Sequence, residues 1–177
     1  MVQSVLFSPV APKLACSSLG FHAAYQGLGS SEWAAMPEKG GQPRSSVTDR
    51  VLSEFDCVYV SVSWELELPV LVHALRRCGI EPRRALRPPS DSLIIAGGPQ
   101  TQSNPDALAA ICDAVFVGDA DHDFETISEC LDSSLDRGEA LAGLSQIDGM
   151  WVPSVHGDGM PETRLDCGPS GQDRPGR

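Results

Sequence analysis

The run Phe55-Asp-Cys-Val-Tyr-Val-Ser-Val-Ser63 constrains the fold more than any other stretch of this chain. It is nearly continuous in β-branched and apolar residues, with little of the polar alternation of a half-exposed strand. That is the pattern of a central parallel strand covered by helices on both faces. Such a strand requires a crossover, and one follows at once. From Pro69 to Cys78 the residues Leu68, Leu71, Val72, Leu75 and Cys78 fall on one stripe, Pro69 fits the first turn, and Gly79 ends the helix.

The same alternation runs through the rest of the chain. Val2 to Ser8 reads as a strand, and Ser17 or Ser18 caps a helix through Leu19, Ala23, Ala24 and Leu28. Trp33 to Met36 reads as a short second strand, followed by a Gly- and Pro-bearing loop to Ser46. Ser92 to Ala96 is another buried strand. After it, Asn104 caps a helix with Pro105 in its first turn and Asp106 near its positive end. Ala114 to Val117 is a strand, and the helix beyond carries Phe124, Ile127, Leu131 and Leu135 on one stripe. A last short strand is expected from Met150 to Pro153. Strand–helix alternation predicts an α/β, doubly wound, mainly parallel five-stranded sheet of the flavodoxin or Rossmann kind. One such domain accounts for residues 1–155, and 156–177, dense in Gly, Pro, Asp and Arg, is expected to be a disordered tail.

Composition narrows the function classes. The formal net charge of −11 opposes binding to a polyphosphate backbone, so nucleic acid is not an expected partner. No apolar run approaches the roughly 20 residues that span a bilayer, so no membrane partner is expected either. The first residues lack the pattern of a signal peptide, and a cytoplasmic location is expected. The basic residues Arg76, Arg77, Arg83, Arg84 and Arg87 read mainly as the polar end of a helix and the loop after it. The six cysteines, Cys16, Cys57, Cys78, Cys112, Cys130 and Cys167, have no metal-ligand spacing. Cys57, Cys78, Cys112 and Cys130 fall at core positions and are expected to be reduced and buried.

In an open parallel sheet, ligands bind outside the carboxyl ends of the strands, where successive crossovers diverge to opposite faces. Four segments lie at such ends: Pro9 to Ser18, Ser61 to Glu67, Gly97 to Asn104, and Gly118 to Asp123. Gly97 and Gly98 leave room beside the backbone for a large planar ligand or a nucleotide tail. Of the two, Gly98 is expected to make the closest approach. Trp64 can stack on a ligand at the mouth, and Glu65 and Glu67 can accept hydrogen bonds from amides on its rim. Ser61, Ser63, Pro99, Asn104, Gly118 and Asp119 complete the candidate binding set. No nucleophile–histidine pairing can be read from His22, His73, His122 and His156, and no catalytic residue is assigned.

Taken in order, several segments resemble one family. These are Ser61-Val-Ser-Trp-Glu-Leu-Glu-Leu-Pro69 before a helix ending Cys78-Gly-Ile80, Ile94-Ile-Ala-Gly-Gly-Pro99 with Asn104-Pro105, and Asp113-Ala-Val-Phe-Val-Gly118. Leu19-Gly-Phe with Tyr25 upstream and Ile147-Asp-Gly-Met-Trp-Val-Pro153 downstream extend the likeness. Together they look like the cobalamin-binding-like amino-terminal domain of B12-type radical-SAM proteins.

The resemblance implies a cobalamin-binding module or subunit of a split or truncated radical-SAM system. Its partner would be a separate catalytic subunit. Two departures qualify this. The CxxxCxxC motif of the family's catalytic half is absent, so no iron–sulfur cluster is predicted in this chain and it is not expected to generate a radical alone. The DxHxxG motif that supplies an axial histidine is also absent, so cobalamin would bind without that ligand. His122, at a strand end, is the residue that could substitute as axial ligand, but among the acids Asp119, Asp121 and Asp123 it reads rather as part of a helix start; a calcium loop would need glycine at Phe124 and glutamate at Cys130. The alternative is an interaction or scaffolding domain that keeps the fold without the cofactor, and an independent enzyme using the acidic strand ends has no motif in its favour.

Overall fold

A computed structural model describes residues 2–29, 32–118, 123–157 and 160. Strands β1 (Ser4–Ser8), β2 (Glu32–Ala35), β3 (Cys57–Ser61), β4 (Leu93–Gly97), β5 (Ala114–Phe116) and β6 (Met150–Trp151) form one sheet in the order β2-β1-β3-β4-β5-β6. The first five are parallel, and β6 pairs antiparallel with β5. The sheet therefore has six strands where five were expected, because the short strand expected from Met150 joins its edge, antiparallel to β5. The parallel order 2-1-3-4-5 is that of flavodoxin-like folds.

Strand periodicity explains why both faces are apolar. Val5, Phe7, Val58, Val60, Ile94, Ala96 and Val115 point to one face, where α3 (Leu68–Arg77) and α5 (Pro105–Ala109) cover them with Leu71, Ala74, Leu75 and Leu108. Leu6, Cys57, Tyr59, Leu93, Ile95, Ala114 and Phe116 point to the other. There α2 (Leu19–Gly27), α6 (Phe124–Ser133) and α7 (Arg137–Leu144) cover them with Phe21, Ile127, Leu131 and Leu144. Short helices α1 (Pro12–Ala15), α4 (Gln100–Ser103) and α8 (Pro153–His156) occupy connections. Ser18 caps α2 by accepting from the Phe21 amide, and Asn104 caps α5 by accepting from the Ala107 amide.

Three local readings change. Leu135 does not join the apolar stripe of α6, which ends at Ser133, and it is 89% exposed. Helix α7, which buries Ala140 and Leu144, has no counterpart in the sequence reading. Arg87 is not part of a solvated basic loop. Its guanidinium is buried, donating to Asp113 Oδ2 at 2.7 Å and to the carbonyls of Glu81, Pro82 and Ile111. Asp113 also accepts from the Ile94 amide and pairs with Arg137 at 2.8 Å, tying the amino-terminal ends of β4 and β5 to α7. Such a carboxylate between two guanidiniums is tolerated in the interior because its hydrogen-bonding capacity is filled.

Cys57, Cys78 and Cys112 are buried and free, as expected; Cys130 is only partly buried and Cys16 is exposed. Most of the expected tail, 158–159 and 161–177, lies outside the described residues, together with Cys167. No helix among the described residues is long and apolar enough to cross a membrane.

Candidate functional site

The crossover from β1 runs over the α2 face and the one from β3 over the α3 face, so the switch point lies between β1 and β3. A cavity of about 380 Å³ opens at this end of the sheet, on the α2 and α6 side. Its floor is the strand row Leu6, Tyr59, Ile95 and Phe116. One wall is α2, where Ser18, Gly20, Ala23 and Ala24 are too small to fill the gap between helix and sheet, and Phe124 and Ile127 of α6 form the opposite wall. Ser61, Ser63, Gly97, Gly98, Pro99, Gln102 and Gly118 surround the mouth.

No lining residue carries a formal charge. Tyr59 contributes its ring; its hydroxyl is hydrogen-bonded to Ser128, and burial pushes its ionisation upward, so the floor is neutral. The cavity thus suits an uncharged, flat group, and its volume is in the usual range for small-molecule sites.

Two adjacent glycines at the mouth have different physical reasons. Gly97 continues the β4 alternation onto the face of Leu93 and Ile95 and pairs in register with Ser61. A Cβ built on Gly97 meets nothing within 4 Å, so this glycine leaves cavity space open. Gly98 has φ +105°, and a Cβ there would lie 2.6 Å from the Val62 carbonyl oxygen. That carbonyl is held in place by the Gln100 amide at 3.2 Å, while the Val62 amide donates to Gly97 O at 2.9 Å. Gly98 therefore serves the interlocking of two loops. The closest approach to open cavity space falls to Gly97 instead.

The other expected residues divide as follows. Ser61, Ser63, Pro99 and Gly118 line the cavity. Trp64 is 63% exposed and does not line it. Glu65 accepts from the Asn104 side chain at 3.3 Å, a bridge between the β3 and β4 loops outside the cavity. Asp119 and His122 lie outside the described residues. Glu67 is buried and accepts from the Ser63 amide at 2.9 Å, fixing the loop that carries Ser61 and Ser63; its carboxyl is raised above its ordinary value by burial. The reading of the residues missed Tyr59, Phe116, Phe124 and the α2 wall. Tyr59 was legible as a floor residue, since it shares strand parity with Ser61; Phe124 depended on helix docking that no local pattern reveals.

A second cavity of about 420 Å³ lies at the opposite, amino-terminal end of the strands, beside Asp56, Asp91, Asp136 and Arg137. Although larger, it is away from the switch point, and Arg137 is already engaged by Asp113 and by the Asp91 carbonyl. Among the described residues no cluster of His, Cys, Asp and Glu is arranged to hold a metal ion.

Comparison with family models matches residues 30–153, more than half of the chain, to the family described as "Radical SAM proteins, N-terminal". The chain belongs to the radical-SAM N-terminal family. No curated protein and no solved structure matches it. Within the radical-SAM N-terminal domain, the matched stretch takes in β2 to β6, including Tyr59, Gly97, Phe116 and Phe124; β1 and α2, which supply the small-residue wall, precede it.

Proposed function

We propose that this radical-SAM N-terminal domain is a ligand-binding module that holds a corrinoid at the carboxyl ends of its strands and serves a radical-SAM catalytic half. The observation that carries this reading is the uncharged cavity of about 380 Å³ at the switch point of a flavodoxin-like sheet. A whole cobalamin far exceeds that volume, so the fit is to one neutral arm of the molecule, held by Tyr59, Ile95, Phe116 and Phe124. Ser61, Ser63, Gly97 and Pro99 at the mouth would hold the rest of the molecule, and the bare Gly97 leaves room there. When bound, a corrinoid supplies a cobalt centre suited to alkyl transfer. This chain's part is to bind and orient it and to shed water from the apolar floor.

Among the described residues no histidine lines the cavity. The test is retention. Purified protein mixed with hydroxocobalamin should carry it through gel filtration with a shifted visible spectrum, and Gly97→Leu should abolish both. An unchanged spectrum at high micromolar concentration removes the corrinoid reading.

A second reading, a cofactor-free docking domain, is favoured by the exposed apolar side chains Leu14, Leu19, Trp64 and Leu66 in the segments that follow β1 and β3. A tight protein complex whose stability is indifferent to Gly97→Leu, in protein that binds no corrinoid, would favour it.

A further inference from the structure

Helix α2 ends on Gly27, and Phe124, the first residue of α6, packs on its bare backbone. A Cβ built on Gly27 would lie 2.2 Å from Phe124 Cδ2, 2.7 Å from Cγ and 3.0 Å from Cβ. Phe124 also lines the cavity, whereas Gly27 does not. The ring therefore touches both the carboxyl-terminal backbone of α2 and the cavity.

We infer that Phe124, seated on Gly27, sets the size of the group the cavity admits, which makes Gly27 a specificity-determining residue that never touches the ligand. This rests on the reading that the cavity is a ligand site. A methyl at position 27 cannot share space with the ring, so the ring must swing away from α2, and the space beside it is the cavity. Of the ring-bearing lining residues, Phe124 is the one that packs on a bare helix backbone rather than within the strand row. The floor residues are buried in a strand row, and Ala23, Ala24 and Gly20 have no side chain able to turn. Discrimination by a single wall group in an apolar pocket is typically about 10–200-fold.

The experiment measures binding of two neutral aromatic probes, two-ring indole and three-ring acridine at pH 8, by calorimetry. It compares the wild-type chain, Gly27→Ala, Phe124→Ala and the double variant, with circular dichroism and melting confirming the fold. Phe124→Leu replaces Phe124→Ala if the latter is unfolded. Gly27→Ala is expected to weaken indole about tenfold or more, Phe124→Ala to shift preference toward acridine by a similar factor, and the Gly27→Ala loss to vanish when Phe124 is already truncated. An equal loss from Gly27→Ala in both backgrounds, an unshifted preference in Phe124→Ala, or no binding of either probe to the wild type overturns the inference. Hydroxocobalamin, run in parallel, separates the two claims. Probes that obey the gate without retained corrinoid sink the corrinoid reading and leave the gate standing. Corrinoid retained with equal affinity by all four proteins sinks the gate alone.

Discussion

Gly97 and Gly98 are chemically identical and adjacent, yet substitution should separate them. Gly97→Leu adds a side chain into open cavity space at a backbone conformation any residue can adopt, so the melting temperature should stay within about a degree or two while hydroxocobalamin retention is lost. Gly98→Val meets the pinned Val62 carbonyl at 2.6 Å and a φ of +105°. Backbone strain alone costs about 1–3 kcal/mol there, and the clash adds to it, so urea midpoints should fall whether or not a ligand is present. A Gly98→Val protein as stable as wild type would show that the β3 and β4 loops do not interlock as described. The Gly-Gly pair itself was legible as a strand end. Which glycine faces the cavity follows from counting in twos from Ile95. What the sequence withheld is the contact with Val62, made by a carbonyl that has no sequence signature.

At the scale of elements, strands β3, β4 and β5 and helices α2, α3 and α6 follow from apolar periodicity and caps. The exceptions arise where long-range pairing overrides local pattern. Arg87 and Asp113 are 26 residues apart and meet only because β5 lies beside β4, so a basic cluster that reads as solvated in the chain contains one buried arginine. Removing one partner leaves a buried charge uncompensated, a loss of about 3–5 kcal/mol. Asp113→Ala should therefore destabilise the domain by that order in urea unfolding, and it should do so more than Arg137→Ala, since Arg137 keeps partial contact with solvent. The loop after β3 gives a pH prediction. Because burial raises the Glu67 carboxyl, the folded state binds a proton more tightly than the unfolded chain. Stability should fall as pH rises from the ordinary carboxylate value through the raised one. Glu67→Gln, which keeps an acceptor for the Ser63 amide, should flatten that slope. A steepened slope in Glu67→Gln would mean that the charge, not the hydrogen bond, holds the loop.

For the molecule as a whole, the doubly wound plan was legible because β1, β3, β4 and β5 are each followed by a helix-type stripe or a capped start. The antiparallel β6 and helix α7 were less so, being a two-residue strand and a helix whose Ala- and Gly-rich sequence carries little apolar contrast between faces. Whether this plan behaves as one cooperative unit can be read from its own thiols. Cys57 lies in the core on the α2 and α6 face, while Cys78 and Cys112 lie in the core on the α3 face. Burial raises all three, Cys112 to about 12, so none offers thiolate to an alkylating reagent in the folded state. At pH 8 each should react only through global opening. Mass-resolved labelling should then give one common rate for Cys57, Cys78 and Cys112, rising in parallel with urea, while exposed Cys16 reacts at once. Labelling of Cys78 and Cys112 well ahead of Cys57 would mean that the α3 face opens on its own. The cavity would then sit on the more persistent half of the domain, with α2 and α6 still docked and Phe124 still on Gly27.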